Sequence, residues 1–381
     1  MIRQIFGNAT ILEGEKLEPV RGYLVVREGK IQEIGEGSPA ARSTDLKRGF
    51  ILPPFVNAHT HLADSVAKEI YLRKPQADVV GPQGEKFDVL SSKSETEIVD
   101  AIRSAHRDML RTGTLAHCDF REGGLAGVKI LQKAEHHALR TIILGRVSSL
   151  NEVEDLLMGS DGIGLPSLDA LPQPALEDLA RRTSEMKKIL SIHTAETKDA
   201  QESSVKNTGK TEVQRALKLD PSFLVHGTWA TKDDFAALKK SGTPLVLCAR
   251  SNSLLGVGVP PIHLALEVGA DFWLGTDNAT VCQPNMFREL FFAWACLRRQ
   301  DDRAGSDEAR KLLRAATVEP ALELNLQVGP IQTGGDATFL VLARGSNLSN
   351  LTDIYSGIVN RARSDNLRVI FARGKPLKEI L

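Results

Sequence analysis

Two histidines one residue apart, His59 and His61, close the stretch FILPPFVNAHTH at residues 50–61. Residues 50–56 read as a short buried strand that ends at the pair. In an extended chain, residues i and i+2 face the same way, so such a strand aims two imidazoles at one point. Two nitrogens at that spacing make half of a metal site. Alone, the pair reads more readily as two unrelated surface histidines. It does not stand alone: His193 in SIHTAE, His226 in LVHGTW and Asp277 in LGTDNA each follow an apolar run in the same manner.

Those apolar runs are what must position the polar residues. From residue 50 onward, short apolar runs alternate with amphipathic stretches. After the first run, strands are expected at 114–120, 141–147, 162–165, 189–193, 223–226, 244–248 and 271–275. Helices are expected between them at 95–111, 125–138, 175–187, 232–240 and 262–268, and beyond them at 285–299 and 307–316. Eight strand runs separated by helices predict an α/β fold of the (β/α)8 TIM barrel type. Strands buried on both faces read as continuous apolar runs, and most of these do. A doubly wound open sheet would bring a phosphate-binding glycine loop after the first strand, and there is none.

The two ends of the chain differ from its middle. Residues 1–49 carry strand-like runs at 2–6, 23–27 and 30–34, with Glu28-Gly29 as a tight turn. Past residue 330 the runs 337–343, 354–359 and 367–371 alternate as strands do, and Arg373-Gly374-Lys375 reads as a terminal turn. The expectation is a small composite β-sandwich domain from 1–49 and 331–381 beside a barrel over 50–330. Residues 74–93, with Gly81, Pro82 and Gly84, read as a long loop, either a lid or an insertion.

In a barrel, side chains at the C-terminal ends of the strands converge. His59 and His61 end run one, His193 ends run five, His226 ends run six and Asp277 follows run eight. His106, His136, His137 and His263 fall in helical stretches or loops and read as surface or packing residues. Composition narrows the partners. The 381 residues carry 48 basic and 48 acidic side chains, so no charge excess points to nucleic acid or to an acidic membrane. No run of 18 apolar residues predicts a membrane span. The first 15 residues lack the apolar core of a signal peptide. The four cysteines form no CxxC pair, which fits a reduced, cytoplasmic chain.

Taken together, NAHTH, HTAE, the strand-six histidine and GTDNA resemble the amidohydrolase superfamily over essentially the whole chain. The HxxE from His193 to Glu196 is similar to the mononuclear deaminase and chlorohydrolase branch, which includes cytosine, guanine and S-adenosylhomocysteine deaminases and the triazine hydrolases. That branch has an HCPxSN-like motif at strand seven. Here the stretch is LCARSN at 247–252, with Ala249 for the usual proline and Arg250 as an added charge. The binuclear branches use a carboxylated lysine at the end of strand four. Run four here is GIGL followed by Pro166, and Lys187 and Lys188 lie at the wrong end of run five.

The resemblance therefore implies one divalent metal per chain, held by His59, His61, His193 and Asp277. Zinc suits such ligands first, with iron or manganese as alternatives. It implies that Asp277 also takes a proton from the attacking water and that His226 orients the resulting hydroxide. Glu196 would protonate a ring nitrogen and help ammonia leave. A plainer alternative makes Glu196 a solvated residue opening a helix at 197–204, where it favours the helix dipole.

Substrate contacts are expected from Arg121, Trp229, Arg250 and Asn252. Arg121 could bind a carboxylate or phosphate in bidentate fashion, or pair with Glu122 or Asp119. Arg250 invites the same two readings. Cys118, Cys248 and Cys282 read as small buried hydrophobes. The expected activity is deamination of a purine, pyrimidine, pterin or triazine type of heterocycle. A cyclic amide or C–Cl hydrolase is the alternative on this scaffold. A non-enzymatic scaffold protein is the rival of another class, and such a protein would have lost ligands that are present here. Relatives of this kind are often homo-oligomers, and one is expected here.

Overall fold

The computed structural model describes residues 3–81 and 83–377. In chain order its strands are β1 (Arg3–Glu13), β2 (Glu18–Arg27), β3 (Lys30–Glu36) and β4 (Thr44–Leu52), then β5 (Phe55–His61), β6 (Thr114–Arg121), β7 (Arg140–Gly145) and β8 (Gly162–Leu165). There follow β9 (Ile189–Thr194), β10 (Phe223–His226), β11 (Leu245–Leu247), β12 (Phe272–Leu274) and β13 (Asp277–Asn278), and finally β14 (Phe339–Leu342), β15 (Leu367–Ala372) and β16 (Lys375–Pro376).

Strands β5 to β13 form a parallel sheet with helices between successive strands from β5 to β12, the expected TIM barrel. The side chains of β5 and β6 are buried along their whole lengths, as strands between a barrel interior and a helix layer must be. The interior is plugged by Ala58, Cys118, Phe120, Ile142, Leu144, Phe223, Val225, Val246, Cys248 and Trp273. Cys118 and Cys248 thus serve as small apolar fillers. The ring closes where β13 runs parallel to β5, with Asp277 opposite Thr60 and Asn278 opposite His61. Barrel closure and the first histidine pair therefore meet at one place.

The two chain ends pair into one seven-stranded sheet in the order β16-β15-β14-β4-β1-β2-β3. In a flat sheet β1 and β15 would stand three strand spacings apart, roughly 14 Å. Yet the rings of Phe6 and Phe371 are 5.2 Å apart. The sheet curls over its own apolar core of Phe6, Ile11, Leu24, Ile51, Phe339 and Phe371, which gives it the two facing layers of a sandwich.

Three sequence expectations are corrected. Residues 50–56 are not one strand. Phe50, Ile51 and Leu52 belong to β4, paired with β1 and β14, and the barrel strand starts at Phe55. Pro53 and Pro54 separate them, because proline has no N–H to give a ladder. Residues 354–359 are not a strand but lie in the helix Ile354–Arg361. Asp353 caps it by accepting from the Ser356 N–H at 2.7 Å, and Tyr355, Ile358 and Val359 bury a helical face. Residues 74–93 are not a loop but hold two short helices, α1 (Gln76–Val80) and α2 (Glu85–Ser92). The helix after them, α3 (Glu95–Arg111), starts at a capping box between Ser94 and Glu97 and buries Ile98, Ile102, Ala105 and Met109.

Candidate metal centre

The strand ends bring His59, His61, His193, His226 and Asp277 together inside the barrel mouth. The register between β5 and β6 shifts between Asn57 and Thr60, and bulges of this kind re-aim side chains beside sites. Gly275, just before β13, allows the approach of the two closing strands. A Cβ there would lie 2.8 Å from the His59 Cβ. Three residues of the site carry left-handed backbone, Ala195 at φ 48°, His226 at φ 78° and Asp277 at φ 60°. Such strain in non-glycine residues gathers where surrounding structure holds a functional geometry in place.

The ring centroid of His59 is 4.9 Å from those of His61 and His193 and 5.5 Å from that of His226. Asp277 Oδ1 lies 3.2 Å from His59 Nε2 and 3.6 Å from His61 Nε2. Two groups of three, His59 with His61 and Asp277, and His59 with His193 and His226, keep their ligand atoms within 4.8 Å of one another. Neither nitrogen of His59 has a hydrogen-bond partner among the described residues. Buried polar atoms without partners are rare in folded chains. An oxygen and several imidazole nitrogens facing one point, some of them orphaned, fit a cation.

The electrostatics agree. Burial pushes the His59 imidazole down to about 3 despite Asp277 beside it. Burial and the neighbouring imidazoles hold His193 well below its ordinary value. Both rings are therefore neutral, the form that binds metal. Burial alone would raise Asp277, but the imidazoles around it keep the carboxyl well below the usual range.

Neighbouring groups orient each side chain. His193 Nδ1–H donates to the Leu165 carbonyl at 2.8 Å, which leaves Nε2 for the centre. Ser251 donates to Asp277 Oδ2 at 2.6 Å. Asn252 donates to His226 Nδ1 at 3.2 Å, which leaves Nε2 as the nitrogen that carries a proton toward the centre. Glu196 Oε2 stands 3.9 Å from that nitrogen.

The amidohydrolase family profile matches residues 50–377. The chain belongs to the amidohydrolase family. A putative aminohydrolase of Methanothermobacter thermautotrophicus is 32% identical over 389 aligned residues, covering 97% of this chain and 98% of the relative. A 5-methylthioadenosine/S-adenosylhomocysteine deaminase of Pyrococcus furiosus is 24% identical, covering 97% of this chain and 94% of the relative. Among solved structures, an atrazine chlorohydrolase of Arthrobacter aurescens complexed with zinc matches with a TM-score of 0.83 at 17% identity, over 98% of this chain and 94% of that one. That last likeness concerns the fold. This amidohydrolase is a metal-using hydrolase whose donor set suits a single divalent ion.

The residues expected at the substrate pocket are placed less uniformly. Arg121 alternates with Phe120, whose ring lies 4.3 Å from that of His59 inside the barrel. Arg121 therefore faces outward, beside Gly127 of the neighbouring helix, with NH1 3.4 Å from Glu122 Oε2. Of its two readings, internal pairing is what this position provides. Arg250 is likewise buried, with Nε 3.3 Å from Glu289 Oε2 and NH2 donating to the Gln283 carbonyl. Trp229 is 39% exposed. It is tied to the Glu196 turn by its backbone N–H to the Ala195 carbonyl at 2.9 Å.

Several residues of the amidohydrolase site escaped the sequence reading, and Glu122 entered it only as a pairing partner for Arg121. Gln76, on α1, donates to Glu196 Oε1 at 3.0 Å. Lys86, on α2, is only 2% exposed. It donates to Asp64 Oδ2 at 3.1 Å and to Glu122 Oε1 at 2.8 Å. Glu122 Oε1 is also 3.1 Å from His61 Nδ1, and Arg146, just past β7, is 3.6 Å from the same oxygen. Burial would lower the His61 pKa, but the Glu122 carboxylate carries it above its ordinary value. A single clue was present: the unusual density of charge in DFRE directly after an apolar run.

Proposed function

We propose that this chain is an aminohydrolase that deaminates a nitrogen heterocycle, with one divalent ion, zinc first, held by His59, His61, His193 and Asp277. The orphaned His59 nitrogens and the neutral His59 and His193 imidazoles support that ligand set. A divalent ion bound there supplies hydroxide at neutral pH and offsets charge that builds on the attacked group. The chain's own residues would do the rest. Asp277, kept ionised by its neighbours, takes a proton from the attacking water. His226, with its proton on Nε2, donates a hydrogen bond to the oxygen that attacks. Glu196 protonates the ring nitrogen and then passes a proton to the leaving ammonia.

The observation that carries the deaminase reading is the position of Glu196. It is a carboxylate 3.9 Å from His226 Nε2, partly open to the mouth and held by Gln76. Hydrolysis of a polarised C–N bond needs an acid at that place, beside the nucleophile's oxygen. The names of the two relatives, an aminohydrolase and a deaminase of adenosine-type thioethers, lean the same way. No helix among the described residues is long and apolar enough to cross a membrane. All four cysteines are free, which fits a reducing, cytoplasmic setting.

The test is ammonia release from a library of amino-purines, amino-pyrimidines, pterins and triazines, run with zinc, iron and manganese forms. Turnover of one class with ammonia as product is the expected outcome. Chloride release, or ring opening without ammonia, would replace deamination by the alternative chemistry.

A further inference from the structure

The mouth of the barrel contains a second polar cluster that shares only His61 with the proposed metal site. His61, Asp64 and Glu122 keep ligand atoms within 4.8 Å of one another, a spacing close to that of a cation site. A cation is already there, because the ammonium of Lys86 donates to both Asp64 Oδ2 and Glu122 Oε1. Lysine is rarely buried so fully unless its charge is matched. Here the match is two carboxylates that are themselves buried.

We propose that Lys86 is a positioning residue for the metal centre: it fixes Glu122 against His61 Nδ1 and takes the place of a second cation. This rests on the one-metal reading above. His61 has two nitrogens with different neighbours. Nδ1 is 3.1 Å from Glu122 Oε1, and Nε2 is 3.6 Å from Asp277 Oδ1. A carboxylate at Nδ1 keeps the proton on that side, leaves the Nε2 lone pair facing the centre and makes it a better donor. Glu122 can serve only if it stays where it is, and Lys86 is its closest charged neighbour. Arg121 and Arg146 lie farther off, at 3.4 and 3.6 Å.

The same contacts explain why this cluster is not itself a metal site. Asp64 Oδ2 is shared between Lys86 and the Asn278 amide, which donates at 2.8 Å. Asp64 Oδ1 is buried with no partner. Take the ammonium away and two buried carboxylates, Asp64 and Glu122, face one vacated position. That is an acceptable ligand set for a divalent ion. Lys86 comes from the segment that also supplies Gln76 to Glu196. Docking of α1 and α2 therefore sets both a ligand's partner and the acid.

The test compares wild type with Lys86→Met, Lys86→Met/Asp64→Asn and Glu122→Gln. Zinc affinity is measured by competition with a chromogenic chelator. Zinc and manganese stoichiometry is measured by elemental analysis after equilibrium dialysis. Lys86→Met should bind the first zinc about 10- to 100-fold more weakly, the usual scale for losing a ligand's supporting partner. It should also take up a second, weaker ion that the double variant does not. Glu122→Gln should weaken the first zinc by a similar factor without a second ion. It should also shift the visible spectrum of the cobalt-substituted protein, because the donor strength of His61 changes. A lysine with a merely structural role would lower Tm but leave chelator competition and the cobalt spectrum unaltered, and that result overturns the proposal. If Lys86→Met does not fold, Glu122→Gln decides: wild-type zinc affinity and an unchanged cobalt spectrum overturn it. Wild-type protein that binds no stoichiometric metal would instead overturn the one-metal reading itself.

Discussion

The protein buries two groups of histidines, and only one of them is built for a metal. His59, His61, His193 and His226 meet inside the barrel mouth. His106 on α3 and His117 on β6 meet outside it, with ring centroids 5.1 Å apart. Both groups are buried, and both hold rings well below their ordinary pKa. Burial pushes His106 down to about 4 and His59 down to about 3. Neither burial nor a depressed pKa tells the groups apart. Partners do. His117 lies 3.1 Å from the Thr60 hydroxyl and 3.0 Å from the Thr141 hydroxyl, so both its nitrogens are used. His106 donates Nδ1–H to the Ala134 carbonyl. Among the described residues, no carboxylate joins this pair in a ligand-spaced group. His106 Nε2 is also without a partner among the described residues, so what sets the mouth group apart is Asp277 at its centre, within ligand distance of His59 and His61. Clustered histidines become a metal site when an anion joins them and their lone pairs are left open.

The largest expected effect comes from exchanging a member of each group. His193→Ala removes a ligand nitrogen, so metal content and turnover should fall together to background. His117→Gln should keep full metal content and turnover and lose only stability. Metal analysis of both variants alongside kcat checks this. A His193→Ala protein that retains stoichiometric metal would erase the distinction between the groups.

Within the mouth, ligand and acid should also separate. Glu196→Gln keeps the shape and a hydrogen bond with Gln76 but cannot deliver a proton. It should hold its metal and lose about 10²-fold or more in kcat, the scale of a positioned acid-base group. Near-normal turnover of a deaminase substrate by Glu196→Gln would remove the main support for deamination.

The contrast between the groups was only half legible in the sequence. The mouth residues could be found because each ends an apolar run, and barrel strands buried on both faces are unbroken enough to be seen. The resemblance of the motifs then supplied the roles. His117 was passed over because it lies inside such a run, at TLAHCDF, where a histidine carries no signal of its own. Lys86 was invisible for a different reason. A lysine in a glycine-bearing segment looks solvated, and the carboxylates that bury it, Asp64 and Glu122, are 22 and 36 residues away. The helix Ile354–Arg361 reads as a strand because Ile354, Tyr355, Ile358 and Val359 are the β-branched and aromatic residues that favour one, and the cap at Asp353 is the signal against it. Pro53 and Pro54 were legible as a break, and the apolar residues on both sides concealed it.

Arg121 tests the boundary between inside and outside at the end of β6. Because it faces the helix side and pairs with Glu122, Arg121→Met should leave KM nearly unchanged. It should instead cost ~3 kcal/mol of stability, as losing one partner of a buried ion pair does. Denaturant unfolding and steady-state kinetics distinguish the outcomes. A large rise in KM with unaltered stability would return Arg121 to the substrate pocket.

The smallest effect belongs to the outer pair and concerns pH. His106 is neutral in the folded chain down to about 4, whereas an unfolded histidine titrates near 6.5. Between those values the unfolded state binds the extra proton, so stability rises with pH there and is lost as pH falls through 6.5 toward 4. Above 6.5 the group contributes no slope. From pH 7 to pH 5 this one ring should account for roughly 2 kcal/mol of lost stability. His106→Asn keeps an N–H where Nδ1–H donates to Ala134 and cannot be protonated. The smaller side chain sets the variant's starting stability lower, and that offset does not depend on pH. Its unfolding free energy should therefore fall by about 2 kcal/mol less than wild type over the same interval. Parallel pH profiles for the two proteins would mean that His106 takes up its proton while folded. The outer pair would then need a partner for that charge, and the distinction drawn between the two histidine groups would weaken at its outer member.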